Sequence, residues 1–279
     1  MKKLPFLILA LLAVALPRPA HAGNTWTGFY VGGNAGYAWG TANNTLGIAD
    51  DGSPFTCHFC FASDVALAQT AGSPSVNLKG FTGGGQLGYN WQSSNWVYGL
   101  ELDFESFLQS QTVNNSFGLA ANTANLSSCA AGGTPTNCVG NFSTSVKADW
   151  LFTLRPRVGY TWNQTLVYAT GGLALSKISL SQSYSDNINF GNSTGGSVST
   201  SGSQTKAGWV VGGGIEQALA NNWSLKAEYL YVKFDSISVP TGILGDSIPG
   251  DIAKFTNSVD LSSNIVRFGF NYKFGALGP

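Results

Sequence analysis

Three groups of residues in this 279-residue chain have types and spacings that could do chemistry. Glu101, Asp103 and Glu105 stand at i, i+2 and i+4. On an extended strand they share a face with neighbours about 7 Å apart, close enough for the acid/base pair that cleaves a glycosidic bond. Cys57-His58-Phe59-Cys60 has the spacing of a redox pair or half a metal site, and Cys129 and Cys138 form a second pair. Gly83-x-Gly85-x-x-Gly88 matches a dinucleotide-binding loop, with Asp103 where a ribose carboxylate would stand.

Each group also has a plainer reading. The glycine pattern needs a helix behind it, whereas here the chain runs into a short turn at Ser93-Ser94-Asn95 and then another strand-like stretch. The three carboxylates share their face with Glu216 and Glu228 and with the bases Arg155, Arg157, Lys226, Arg267 and Lys273, so paired charges filling an interior are expected. In an exported chain an even cysteine count reads first as disulfides. Local pairs Cys57–Cys60 and Cys129–Cys138 are the first reading, cross-loop pairing the second. For nucleophilic catalysis only His58 with Ser53 or Asp51 is at hand, and no serine motif surrounds it. No catalytic residue, cofactor or metal is expected.

The elements that position these residues follow from composition and patterning. Charged residues are 10% of the chain, against about 25% in ordinary soluble domains, and Gly is 36 of 279. An aromatic content of 13% excludes a disordered chain. Balanced charge gives no basic footprint for nucleic acid, and no apolar run is long enough for a membrane-spanning helix. Lys2-Lys3, the apolar stretch Leu4 to Leu16 and Ala20-His21-Ala22 read as a signal peptide over 1–22 that is cleaved before Gly23. The mature chain, 23–279, then carries 11 basic and 14 acidic residues, a net charge of −3.

Period-two alternation predicts eight strands, at 26–41, 78–92, 96–111, 146–162, 165–182, 205–219, 223–237 and 259–274. Tight turns at Ser93-Ser94-Asn95, Asn163-Gln164 and Asn221-Asn222 alternate with long polar connections at 42–77, 112–145, 183–204 and 238–258. Strict alternation of short and long predicts an all-β fold: an eight-stranded antiparallel up-and-down transmembrane β-barrel, one domain, with four long extracellular loops. Along 146–162, Trp150, Phe152, Leu154, Val158 and Tyr160 oppose Asp149, Thr153, Arg155 and Arg157. A surface this poor in charge cannot face water all round, so the apolar face is expected to meet lipid. Trp91, Trp96, Trp162 and Trp223 beside the short turns are expected to form an aromatic girdle at the headgroup level. Pro156, inside a strand, is expected to mark a bulge or local irregularity.

Gly80 to Trp91 (GFTGGGQLGYNW), Asp149 to Tyr160 (DWLFTLRPRVGY), Val167 to Ala174 (VYATGGLA), Gly208 to Val232 and Asn264 to Phe274 (NIVRFGFNYKF) resemble the strands of the small alphaproteobacterial outer-membrane immunogenic proteins. These are opacity-type, porin-family barrels. The resemblance implies a surface-exposed, non-enzymatic barrel in the outer membrane of a Gram-negative envelope, in contact with lipid and lipopolysaccharide. It also implies an assembly signal in Phe270, Tyr272 and Phe274 read by the barrel-assembly machinery. Envelope integrity, adhesion or extracellular ligands bound through the loops are the roles it suggests. A narrow porin and a haem-binding surface protein are the alternatives. The chain departs from the family by continuing through Gly275 to Pro279 and by carrying four loop cysteines.

Overall fold

In a computed structural model of the chain, the described residues are 26–50, 59, 62–119, 138–187, 195–244 and 253–274. They hold β1 (Gly28–Asp50), α1 (Ala62–Gly72), β2 (Ser75–Ser93), β3 (Trp96–Leu119), β4 (Cys138–Trp162), β5 (Thr165–Asp186), β6 (Ser197–Ala218), β7 (Trp223–Phe234), β8 (Ile237–Leu244) and β9 (Ala253–Lys273). The sheet runs β1-β2-β3-β4-β5-β6-β7-β9 and closes by β1–β9 pairing, antiparallel throughout. β8 continues along β9 where β7 stops. Lys233 pairs with Ser262 and Ile237 with Val259, so β7 and β8 occupy one wall position interrupted at Asp235–Ser236. The ring therefore has eight staves, as expected from the alternating turns. Each tight turn uses the left-handed conformation that Asn and small polar residues tolerate: φ is 54° at Ser94, 57° at Asn163, 58° at Asn221 and 64° at Asn222.

The strand boundaries differ from those expected. Apart from β7 and β8, the strands are 19 to 25 residues long, whereas a tilted strand crosses a bilayer in about 9–11. Much of 42–77, 112–145, 183–204 and 238–258 is therefore wall, not loop, and 62–72 is a helix. The signal segment 1–22, Cys57, His58, Cys60, Cys129 and residues 275–279 lie outside the described residues.

Two side-chain polarities divide the wall. From the short turns up to about Trp39, Phe81, Trp150 and Trp209, outward positions are apolar; Phe81, Trp162 and Phe268 are 73%, 78% and 63% exposed. Above that level the pattern reverses. Along β9, Ala253, Phe255, Val259, Leu261 and Ile265 point inward and are buried, while Lys254, Thr256 and Asp260 point outward. Along β5, Ile178, Leu180 and Tyr184 point inward, and Lys177, Ser181, Ser183 and Ser185 outward. The upper interior fills with Leu78, Phe107, Val146, Leu151, Leu230 and their neighbours, then with a higher layer that includes Leu46, Phe117, Phe142, Tyr184 and Phe255. Each such fully buried side chain contributes about 1.5–3 kcal/mol.

α1 closes onto this upper core. Ala68 and Gly72 are buried, and a Cβ on Gly72 would overlap Leu46. Helix C-termini leave carbonyls without intrahelical donors. Here Asn44 Nδ2 and Gln182 Nε2 both donate to the Gly72 carbonyl, each at 2.7 Å, and Asn115 Nδ2 donates to that of Ala71 at 3.0 Å.

The register irregularity falls not at Pro156 but farther from the short turns, beside Asp149. Register shifts between Ala148 and Leu151 on the β5 side and between Ser106 and Gln109 on β3. The extra residue rotates Asp149 to the outside, where it is exposed; it does not join the interior face assigned to it from alternation. Pro156 causes no register shift. Leu154 pairs with Leu173 and Arg157 with Thr170, and only Arg155 and Pro156 between them lack β5 ladder partners. The Thr170 hydroxyl donates to the Pro156 carbonyl at 2.9 Å.

Candidate functional site

The interior at the height of the apolar outer band is a cluster of charges supplied by five staves. β3 contributes Glu101, Asp103 and Glu105, β4 Arg155 and Arg157, β6 Glu216, β7 Lys226 and Glu228, and β9 Arg267; all are buried. Glycines admit them. A Cβ on Gly84 would lie 2.6 Å from Glu105 Cβ, and one on Gly172 would lie 3.0 Å from Arg155 Cα.

Arg155 is the hub. Its Nη2 donates to Glu101 Oε1 at 2.6 Å and Asp103 Oδ2 at 2.8 Å, its Nη1 to Glu228 Oε1 at 3.0 Å, and its Nε to Thr153 Oγ1 at 3.1 Å. Arg267 Nη2 donates to Asp103 Oδ1 at 2.6 Å and its Nε to Glu228 Oε2 at 2.7 Å, while its Nη1 lies 3.4 Å from Glu105 Oε1. Lys226 Nζ donates to both Glu101 oxygens, at 3.0 and 3.1 Å. Arg157 Nη1 donates to Glu216 Oε2 at 3.1 Å, and its guanidinium lies 4.8 Å from the Tyr30 ring centroid and 5.1 Å from that of Tyr168. Those phenols donate in turn: Tyr30 to Glu101 Oε2 at 2.7 Å, Tyr168 to Glu228 Oε1 at 2.9 Å. A relay of amides from Asn34 through Gln86 and Asn271 ends on Glu216 Oε1, which also accepts from Ser224.

Alternation thus brings together every acid and base expected inside, except Asp149 and Lys273. Lys273 sits half-buried at the short-turn rim beside Gly28, away from the cluster. Tyr30, Tyr168, Asn34 and Asn90, whose Oδ1 accepts from Arg157 Nε at 3.0 Å, were not singled out from the sequence. Their parity was the available signal, because Tyr30 alternates out of phase with the outward Phe29 and Val31.

Glu101, Asp103 and Glu228 each accept from two or more cations or phenols, which leaves no oxygen free to take up a proton from substrate water. These three carboxylates are fastened by their partners, while Glu105, buried beside them, has only the Arg267 contact at 3.4 Å. In a low-dielectric interior such pairs are worth little net stability, yet removing one partner strands the others.

The model of the outer membrane protein beta-barrel domain matches residues 6–274. The chain belongs to this family. It is 34% identical over 252 residues to the 31 kDa outer-membrane immunogenic protein of Brucella melitensis, covering 90% of this chain and 84% of that one. It is 27% identical over 259 residues to the 22 kDa outer membrane protein of Rhizobium leguminosarum bv. viciae, covering 92% and 82%. Among solved structures, that of OprG from Pseudomonas aeruginosa aligns with 89% of this chain and 97% of its own at 12% identity and a TM-score of 0.38. This family member is an outer-membrane protein, and its apolar outer band sits in lipid.

The remaining residues singled out from the sequence fall outside the cluster. Trp91, Trp96, Trp162 and Trp223 are exposed on the outward face at the short-turn rim. With them stand Phe29 and Tyr89 in edge contact at 4.6 Å, and Trp96 and Tyr160 at 5.4 Å. Phe270 and Tyr272 face outward on β9 against Trp223, and Phe274, just past the strand, is exposed and meets the edge of the Tyr272 ring at 5.5 Å. At the other end, Cys138 is disulfide-bonded and packs in the uppermost core with Phe117, Phe142 and Tyr184. Burial and the nearby Asp186 carboxylate push the Tyr184 phenol up, so it stays neutral.

Proposed function

We propose that the protein is a closed, non-enzymatic anchor that displays its upper wall and crown on the cell surface. One observation carries this: among the described residues, buried side chains occupy the interior at both levels, as the ion-pair cluster at membrane height and as apolar layers with α1 above it. Eight staves enclose a space just wide enough for side chains, whereas aqueous channels accompany 16 to 18. The short turns face the periplasm, the four rim tryptophans form the inner-leaflet girdle, and Phe270, Tyr272 and Phe274 present the signal read by the assembly machinery. Extracellular ligands meet the crown.

Single-channel recording of refolded protein in planar bilayers tests the reading. Wild-type protein should give at most small, infrequent steps, and Arg155→Ala with Arg157→Ala should enlarge them. Large, steady wild-type conductance unchanged by these substitutions would overturn the plug and favour a narrow porin.

A further inference from the structure

Above the lipid band the wall is cut twice. The β2–β3 ladder ends at Thr82↔Phe107, yet β2 runs on to Ser75 against β1 and β3 runs on to Leu119 against β4. The β6–β7 ladder ends at Gly208↔Phe234, yet β6 runs on to Ser197 against β5, and β8 pairs only with β9. The upper half is therefore two four-stranded sheets, β8-β9-β1-β2 and β3-β4-β5-β6, face to face over the apolar layers. Each cut leaves backbone groups without a ladder partner, the condition that makes an exposed edge a template for another strand.

The two cuts are finished differently. At the first, between β6 and β8, β8 carries Pro240, which has no N–H to offer. The β8–β9 register breaks there, between Val239 and Gly242, and a Cβ on Gly202 would lie 3.2 Å from Pro240 Cδ. Gln204 Nε2 donates to the Ser238 carbonyl at 2.9 Å, a stitch from one sheet to the other. The β2–β3 cut has neither device. Among the described residues no hydrogen bond joins 75–79 to 109–119.

This open cut is bounded below, where a Cβ on Gly80 would overlap the Leu108 carbonyl, and above, where Asn115 donates to α1. Between these limits lies an outer groove of about 510 Å³, with Ser75, Asn77 and Lys79 on one side and Gln111 and Val113 on the other. Gln111 and Val113 pair with Val146 and Thr144, which are fully buried, yet are themselves exposed and half-buried. A strand is missing beside them. Which groups it leaves free follows from the β1–β2 ladder. The Asn44 N–H donates to the Pro74 carbonyl at 3.1 Å. In an antiparallel pair the direction of bonding alternates along the strand. Val76 and Leu78 therefore turn their backbone groups toward β1, and Ser75, Asn77 and Lys79 turn theirs into the groove. These span four residue steps, about 13 Å. Lys79 is the one charged side chain among the described residues that line the groove. Asp260 stands outside it on β9, with Asn43 between it and Ser75.

From this we infer that the groove takes in a short extended segment of another protein, about five residues long, as an added strand antiparallel to β2. Its backbone meets Ser75, Asn77 and Lys79, its inward apolar side chains pack beside Val76, Leu78 and Val113, and an outward acidic side chain meets Lys79. A second copy of this chain fits worse, because it would set each Lys79 against an edge that offers no acid. The inference rests on the surface-display reading only for the side of the membrane that the groove faces. A conducting barrel would sink the plug and leave the groove standing.

The test uses detergent-refolded full-length mature protein and a fluorescent, end-capped pentapeptide, Glu-Val-Thr-Val-Thr. Binding is read by fluorescence polarisation and by hydrogen exchange. Saturating peptide should slow exchange at the Ser75, Asn77 and Lys79 amides at least tenfold and leave those of Val76 and Leu78 unchanged. The same peptide N-methylated at its central Thr should bind at least tenfold more weakly, and one with Lys in place of Glu several-fold more weakly. Lys79→Glu should reverse the preference between the acidic and basic peptides. Asn77→Pro, which gives this edge what Pro240 gives the other, should abolish binding. Heat-modifiable gel migration verifies that each variant is folded, and Lys79→Glu keeps the edge backbone intact if the proline variant is not. No saturable binding to the folded wild type, equal binding of the N-methylated peptide, or full binding by folded Asn77→Pro overturns the added strand. Wild-type dimers seen by light scattering that Asn77→Pro dissociates would give the groove to a second copy and overturn it as well.

Discussion

The lower and upper halves of this barrel share one wall and invert each other's chemistry. Below Trp39 and Trp209 the outside is aromatic and aliphatic and the inside is Glu, Asp, Arg and amides. Above, on the same strands and in unbroken register between β1 and β9 from Lys273 to Ala253, the inside is Phe, Leu, Ile and Val and the outside is Ser, Thr, Asn and Lys. The backbone ladder is indifferent to which side is wet. Lipid outside forces polar groups inward, where they need partners; water outside lets the hydrophobic effect fill the interior. The ladder supplies continuity, and the solvent decides the face.

If that contrast is right, the largest effect should come from the lower interior. Arg267→Ala would leave Asp103, Glu105 and Glu228 with a missing partner, at a cost of about 3–5 kcal/mol. Urea titration in micelles should show the whole barrel losing its heat-modifiable form earlier. In the upper interior Phe142→Ala should cost about 3 kcal/mol, but locally. Hydrogen exchange should rise in 138–148 and 178–186 while amides near Arg155 stay protected; uniform exchange through both halves would show that they melt as one unit. A third comparison inserts the same charge outside each half. Phe268→Lys, in the lipid band, should cost about 2–4 kcal/mol, and Ser181→Lys, on the exposed upper wall, less than about 0.5 kcal/mol. The smallest of the expected losses in the interior concerns α1. Gln182→Ala removes one of two donors to the Gly72 carbonyl and should cost about 1 kcal/mol, seen as faster exchange in 66–72 with the wall unchanged.

The two halves were also unequally legible. In the lower one, alternation carries large contrasts, such as Glu101, Asp103 and Glu105 against Leu100, Leu102 and Phe104, so strands, facing and the set of interior charges could be read. Register could not, because pairing Glu101 with Arg155 depends on turn geometry and on where the bulge falls. The bulge near Asp149 has no residue signature of its own, and it reversed that side chain. In the upper half the alternation is present but quiet. In Ser176 to Ser185 every second residue is Ser or Lys, and Gln182 interrupts the inward Ile178, Leu180 and Tyr184. A serine-rich stretch with single apolar residues reads as a loop until the opposite strands that share its core are known. Pro156 was a clearer signal than its effect warranted, since an exposed position beside Gly171 and Gly172 accommodates a missing donor without displacing the ladder.

The height of the wall has a consequence for whatever meets this protein from outside. Thr112 pairs with Ser145, Ser145 with Ser181 and Ser181 with Ser201. Four hydroxyl residues from four staves therefore form a row about 15 Å long, at the usual spacing between strands. An antibody footprint laid on that row reads across the sheet and touches segments up to 89 positions apart in the chain. A synthetic peptide copied from any one of them would carry a single member of the row, with neither its spacing nor its neighbours. Sera raised against the folded barrel should therefore recognise a shape that the linear chain cannot imitate, and boiling the antigen should erase it.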